Sequence, residues 1–321
     1  MLKEVRIKSH IFNQPPAPGT GIRLAVFQAE RPVGTIEAVE ENLAEMGRVL
    51  ETAKGYQVHV VSFPELYITG YSITPEQLEE LAETPEGPII SKAKELAKKN
   101  GVGIIYPYPE VEEKDGQRTY YDSIALIGQN GELLFNYRKI HLYGAAERKN
   151  YAFGNELPKV AQINGFNVGI LNCYECEFPS LYKHLAQKGA QLVVGPTAAD
   201  GHFMLTNLDD PQGERRPTQV SYPDSTKYIM PGMASVFRMF VCYSNRRGWE
   251  NVAAGSWEYR GNSSIFGPEG EPLLKAENED QSVDLLLIAD CIPDNHLPFS
   301  PEGNHLDDDR IPQFEELVPG K

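Results

Sequence analysis

Cys173 is the residue around which a reaction can be built. The apolar run Phe166–Leu171 ends at Asn172-Cys173, and a helical pattern begins near Pro179. A nucleophile at a sharp strand-to-helix turn projects from the sheet edge, beside backbone N–H groups that can bind an oxyanion; the N–H of Tyr174 is the natural donor. A free thiol has a pKa of about 8.5 and is little ionised at neutral pH, so it needs a base to take its proton or a cation to hold the anion. Two other strand ends offer such groups. The run Val58–Phe63 is stopped by Pro64 and followed by Glu65, where desolvation would lift a carboxylate toward the range of a general base. In Tyr137-Arg-Lys-Ile-His141, alternation puts Lys139 on one face with Tyr137 and His141, and a lysine there can stabilise a developing oxyanion. Taken singly, each has a plainer reading: a strand-end glutamate as a cap or ion-pair partner, a lysine as a solvated charge.

Other chemistries find less support. Cys173 and Cys176 form one C-x-x-C, but zinc needs four ligands and no second pair follows; the seven histidines are scattered. A redox pair of that spacing belongs near the start of a small βαβ domain. Cys242 and Cys291 sit in apolar strand-like runs and read as buried thiols. There is no G-x-G-x-x-G, no P-loop and no G-x-S-x-G, so neither a nucleotide cofactor nor a serine elbow has local support. The formal net charge of −15 disfavours sequence-independent nucleic-acid binding and anionic membrane surfaces. No apolar run is long enough to span a bilayer, and the segment before Gly21 is polar and proline-rich. With four cysteines in 321 residues, the expectation is a cytoplasmic protein with reduced thiols.

The elements that must position these residues alternate between strand and helix. Arg23–Gln28, Val58–Phe63, Val102–Tyr106 and Leu192–Val194 read as buried strands. A helix follows Gly34, with Ile36, Val39, Leu43, Met46 and Leu50 at helical steps, and another runs from about Ile89 to Lys99, stopping at Gly101. Tyr121–Ile127 with Leu133–Tyr137, and Val160–Ile163 with Phe166–Leu171, read as hairpins; the second carries Asn164-Gly165, a strong turn signal. Pro179–Gln187 is an amphipathic helix. Val236–Tyr243, Ser263–Phe266, Pro272–Lys275 and Val283–Ala289 supply later apolar segments, while 200–228 reads as an irregular excursion. This mixture predicts an α/β layered domain with mixed sheets.

The three pieces together, in the order Glu, Lys, Cys, resemble the nitrilase superfamily of carbon–nitrogen hydrolases. The likeness rests on Phe63-Pro-Glu-Leu-Tyr-Ile-Thr-Gly-Tyr71, Tyr137-Arg-Lys-Ile-His-Leu142 and Leu171-Asn-Cys-Tyr-Glu-Cys-Glu-Phe-Pro179. Gly195-Pro-Thr197, Ser244-Asn-Arg-Arg-Gly248 and Gly261-Asn-Ser-Ser-Ile-Phe-Gly-Pro-Glu-Gly270 extend it. The resemblance implies a four-layer αββα sandwich over residues 23–289, an N-terminal extension at 1–22, a C-terminal tail at 290–321, and a homo-oligomer. It implies a catalytic set of Glu65, Lys139 and Cys173, with Glu147 as a second essential glutamate and no metal or cofactor. Tyr174, Tyr71, Thr197 and Ala198 are the expected oxyanion or substrate contacts; for the aromatic residues core packing is the alternative. Ser180 stands where many members carry a glutamate. Cys-Tyr in place of Cys-Trp, with Pro196-Thr-Ala198, is similar to the amidase branch. The expected reaction is therefore amide to carboxylic acid plus ammonia through a thioester on Cys173. A nitrilase or an N-carbamoyl hydrolase with the same triad is the sister alternative, and a non-catalytic or redox cysteine protein is the alternative of another class. The excursion at 200–228 either shapes the substrate pocket or is a surface insertion.

Overall fold

A computed structural model describes residues 5–205, 216–217, 224–252, 255–277, 280 and 282–296, of which 200–205, 216–217, 251–252 and 255–256 are described by their backbone alone. The first sheet takes β1 (Val5–His10), β2 (Ile22–Gln28), β3 (Val60–Ser62), β4 (Gly103–Lys114), β5 (Gln117–Ile127) and β6 (Leu133–Arg138). The second takes β7 (Val160–Ile163), β8 (Phe166–Ile170), β9 (Leu192–Thr197), β12 (Phe240–Asn245), β15 (Ser264–Phe266) and β16 (Pro272–Lys275). A smaller third sheet is built from β10 (Asp200–Leu205), β11 (Arg216–Pro217), β13 (Arg247–Val252) and β14 (Gly255–Arg260). Finally β17 (Asp284–Cys291) returns to the first sheet, parallel to β1 and antiparallel to β2.

Alternation along the buried strands separates three apolar layers. Ala25 and Phe27 of β2 face the helices α1 (Ile36–Gly55) and α3 (Pro88–Asn100), meeting Val39, Met46 and Leu50 of α1 and Ile90, Ala93 and Ala97 of α3. Leu24 and Val26 face inward, onto Phe166 and Val168 of β8 and Leu192 and Val194 of β9. Val193 of β9 and Val241 of β12 point outward onto α5 (Pro179–Gln187) and α6 (Ser225–Phe237). The order helix, sheet, sheet, helix is the expected αββα sandwich. One helix residue departs from its expected stripe: Ile36, in the first turn of α1, is 51% exposed, whereas Val39, Leu43, Met46 and Leu50 are buried.

The departures from the sequence reading have local causes. Strand β4 runs well past Tyr106 and pairs with β5 through an Asp115-Gly116 turn, both residues with positive φ. Pro107 and Pro109 interrupt the sequence pattern but not the ladder, because β3 stops pairing at Ile105 and their missing N–H groups fall on that unpaired side. Within 200–228, expected to be irregular, the described residues form β10, β11 and the start of α6; 206–215 and 218–223 lie outside the described residues. Helix α6 carries Pro231 in its interior and runs to Phe237, so the apolar segment Val236–Tyr243 divides between the end of this helix and a strand that begins at Phe240. Of the expected tail, 297–321 lies outside the described residues.

Direction matters more than count. Strands β2, β3, β4 and β6 run the same way, as do β8, β9 and β12 across the interface, and their carboxyl ends carry the polar residues singled out above. In open α/β sheets this is the end that binds ligands.

Candidate active site

Glu65 is the third residue past β3, and Lys139 is the first residue past β6. Both are fully buried. Lys139 Nζ donates to Glu65 Oε1 at 2.6 Å, to Glu147 Oε1 at 2.9 Å and to Asp122 Oδ2 at 3.2 Å. The three carboxylates lie close enough together to resemble a cation site, and the ammonium is the cation they share. Glu147 comes from the short helix α4 (Gly144–Asn150); its Oε1 also accepts from the Tyr71 hydroxyl at 2.6 Å, and its Oε2 from the Tyr143 N–H at 2.7 Å. Sequence reading brought Glu65, Lys139, Glu147 and Tyr71 to one place, and the structure joins them by hydrogen bonds.

Cys173 opens a short 3₁₀ turn, Cys173–Glu177, with φ of +52°, a left-handed conformation that side chains other than glycine rarely adopt. It is partly exposed, whereas Cys176, Cys242 and Cys291 are buried, and all four are free thiols. It lines a pocket with Tyr71, Tyr143, Tyr174, Thr197 and Ala198. The Tyr174 ring stands edge-on to Tyr143 and to Phe178. Burial pushes the Cys173 thiol well above its ordinary value, the charge of Glu65 adds to this, and Lys139 and the backbone N–H of Ala198 pull the other way. The resting nucleophile is thus a thiol that requires a base.

Glu65 is marked by what it lacks. Glu65 Oε2 is buried and has no hydrogen-bond partner. Burial raises the Glu65 carboxyl well above its usual range; Lys139 opposes this, and the charges of Asp122 and Glu147 reinforce it. For Lys139, burial disfavours the ammonium, but the charges of Glu65, Glu147 and Asp122 together outweigh it and hold the proton firmly. The lysine therefore stays charged while the carboxyl beside it can exchange a proton.

Several residues of this site were not singled out in the sequence. Glu175 is fully buried: Oε1 accepts from the Tyr137 hydroxyl at 2.7 Å and from the N–H groups of Ile140 and His141, and Oε2 accepts from the Asn172 N–H at 2.9 Å. It fastens the end of β6 to the nucleophile turn. Arg246, just past β12, donates to the carbonyls of Glu65 at 3.2 Å and Leu66 at 3.3 Å, and pairs with Glu250 of β13 at 2.6 Å. Glu250 in turn accepts from the N–H of Ser72 and the hydroxyl of Tyr259, each at 2.9 Å. This pair grips the loop that carries Glu65 and Tyr71, in which Leu66 takes φ of +46°. Asp122, in mid-strand, is the other unforeseen member. The signals that could have found Arg246 and Glu250 are charged residues four apart beside the strand-end motif Ser244-Asn-Arg.

A carbon–nitrogen hydrolase family profile matches residues 23–294. The chain is 30% identical over 256 residues to a hydrolase in the pqqF 5′ region of Pseudomonas protegens, covering 79% of each chain. It is 28% identical to the N-carbamoylputrescine amidase of Solanum lycopersicum, covering 76% of this chain and 80% of that one. Among solved structures it superposes, with a TM-score of 0.70, on a Glu-to-Gln variant of the amidase from Nesterenkonia sp. AN1, in which the acetamide moiety of fluoroacetamide is attached to the active-site cysteine; the match is 22% identical and covers 96% of this chain and all of that one.

Proposed function

We propose, from the premise that this chain belongs to the carbon–nitrogen hydrolase family and is a hydrolase acting on carbon–nitrogen bonds, that it is an amidase releasing ammonia from a small primary amide. The observation that carries this reading is the presence in one site of a partly exposed thiol, held at a left-handed elbow, and a buried carboxylate whose charge acts on it and whose second oxygen has no hydrogen-bond partner. Glu65 Oε2 takes the thiol proton as Cys173 Sγ attacks the amide carbon. All three ammonium hydrogens of Lys139 are accepted by carboxylates, so Lys139 acts on the tetrahedral anion through its charge. The backbone N–H groups of Tyr174 and Ala198 are the direct donors. Glu65 returns the proton to the leaving nitrogen, ammonia departs, and water activated by the same carboxylate opens the thioester. Glu147 orients Lys139 and, through Tyr71, one wall of the pocket.

The amidase whose structure carries an acetamide group on its active-site cysteine supports the role given to Cys173. The N-carbamoylputrescine amidase supports a second reading, hydrolysis of an N-carbamoyl amine by the same triad. In either reading 23–289 acts as one hydrolase domain, with β1 docked along β17 as its edge. The same reading makes the protein a cytoplasmic homo-oligomer, an assembly to be tested by sedimentation. Among the described residues no helix is long and apolar enough to cross a membrane.

Cys173→Ala should lower ammonia release from a panel of primary amides and one carbamoyl amine by at least a thousandfold. A wild-type acyl adduct on the Cys173 peptide, trapped by acid quench and seen by mass spectrometry, should disappear with it. Activity retained in Cys173→Ala would refute the mechanism, and turnover of the carbamoyl amine alone would select the second reading.

A further inference from the structure

We propose that Asp122 is a working part of this site: a positioning carboxylate that braces Lys139 against the Asn172–Cys173 turn and, as the third carboxylate on one lysine, obliges the cluster to keep a shared proton. The inference rests on the Glu65, Lys139 and Cys173 reading above and extends it to a residue outside that triad.

The brace is geometric. Asp122 lies on the inward face of β5, in line with Ile124 and Leu126, and is fully buried. Its Oδ2 accepts from Lys139 Nζ at 3.2 Å, and its main-chain carbonyl accepts the Lys139 N–H at 2.9 Å. Its Oδ1 accepts from Asn172 Nδ2 at 2.9 Å. Strand β5 belongs to the first sheet and Asn172 follows β8 of the second, so one carboxylate spans the interface and ends beside the nucleophile. The groups facing it are Glu65, Glu147 and Lys139, the Tyr151 hydroxyl from the end of α4, and, beyond Asn172, Cys173.

The proton follows from counting. Glu65, Asp122 and Glu147 with one ammonium would leave two uncompensated negative charges among buried side chains, an arrangement that buried carboxylates relieve by keeping a proton. Every oxygen of Asp122 and Glu147 already accepts a hydrogen bond. Glu65 Oε2 accepts none, so the shared proton rests there until the pH rises through the raised Glu65 value and frees the carboxylate to act as base. The charge of Asp122 raises the Glu65 carboxyl, which agrees with this placement.

Two substitutions separate brace from charge. In Asp122→Asn the new amide oxygen can still accept from Lys139, while its NH₂ meets the Asn172 amide, whose Oδ1 is unpaired and can turn to accept it. The contacts survive and the charge is lost. Asn172→Ala does the reverse. The readout is the pH dependence of Cys173 alkylation by iodoacetamide in the full-length protein, followed on the Cys173 peptide by mass spectrometry. It needs no substrate, so a failure to hydrolyse amides would sink the amidase reading and leave this test standing. With one negative charge fewer, Asp122→Asn should alkylate with a midpoint about one pH unit lower than wild type. Asn172→Ala should react several-fold more slowly at its plateau, with no downward shift. A purely structural Asp122 would lower the thermal midpoint of unfolding and leave the alkylation midpoint where it was; that result overturns the proposal. If Asp122→Asn does not fold, Asn172→Ala decides, and alkylation of that variant at the wild-type rate would overturn the brace.

Discussion

At the scale of single residues the site is a problem in where one proton rests. Glu65 is raised above the ordinary carboxylate range, first by burial and then by Asp122 and Glu147, and it works as a base only when deprotonated. Activity should therefore be absent at low pH and rise as pH passes through the raised value, above the region where an exposed glutamate titrates. Glu65→Gln keeps an acceptor for Lys139 but cannot take a proton. Its kcat/KM should fall by about 10²–10⁴, and the acid limb of the pH profile should vanish with it; a surviving limb at the same pH would assign that titration to another group. Glu65, Lys139 and Cys173 were legible because each ends an apolar strand, where an isolated polar residue stands out. Asp122 was not, since a single acid in Tyr-Tyr-Asp-Ser within an alternating strand reads as one more solvent-facing position. Only the pairing of β5 with β6 reveals that it lies opposite Lys139.

At the scale of elements, the loops that follow the strands need fastening, and the fasteners come from far along the chain. Arg246 and Glu250 hold the 65–72 loop from the third sheet, through main-chain carbonyls and N–H groups that give no sequence signal. Glu250 accepts from donors on every side, namely Arg246, the Ser72 N–H and the Tyr259 hydroxyl. A glutamine has one acceptor oxygen and would turn its NH₂ against at least one of these donors. Glu250→Gln should thus let the loop shift and lower kcat/KM by about 10- to 100-fold, although neither residue touches the thiol. The check is steady-state kinetics beside a thermal melt; an unchanged kcat/KM would show that the loop holds its shape without the pair. The same distance effect explains which elements the sequence concealed. Contiguous apolar runs such as Ile22–Gln28 and Leu285–Ala289 announced buried strands. By contrast β13 and β14 carry charged and aromatic residues in a small sheet outside the two main layers, and α6 hides behind Pro231.

At the scale of the whole molecule, the two ends of the sandwich have different duties. The carboxyl ends of β3, β6, β8, β9 and β12 gather the reactive groups, with an excess of buried negative charge and with Leu66 and Cys173 in left-handed backbone. The opposite end, where β2 begins and β17 finishes, holds a satisfied ion pair. Arg23 Nε and Nη2 donate to the two oxygens of Asp290 at 2.6 and 2.9 Å, and Nη1 and Nη2 donate to the carbonyls of Tyr56 and Phe12, each at 2.8 Å. Asp290 also accepts the Phe12 N–H at 2.8 Å, so this one carboxylate ties the N-terminal segment to β2 and β17. Removing it strands a buried guanidinium, which typically costs about 3–5 kcal/mol. For a chain of this size that is a fall in Tm of roughly 4–8 °C. The loss should stay at its own end. Asp290→Ala should melt earlier yet, at temperatures where it is folded, keep both the wild-type pH profile and the wild-type rate of Cys173 alkylation. A displaced profile in Asp290→Ala would mean that the ion-paired end sets the geometry of the catalytic one, and that the sandwich does not divide its labour between its two edges.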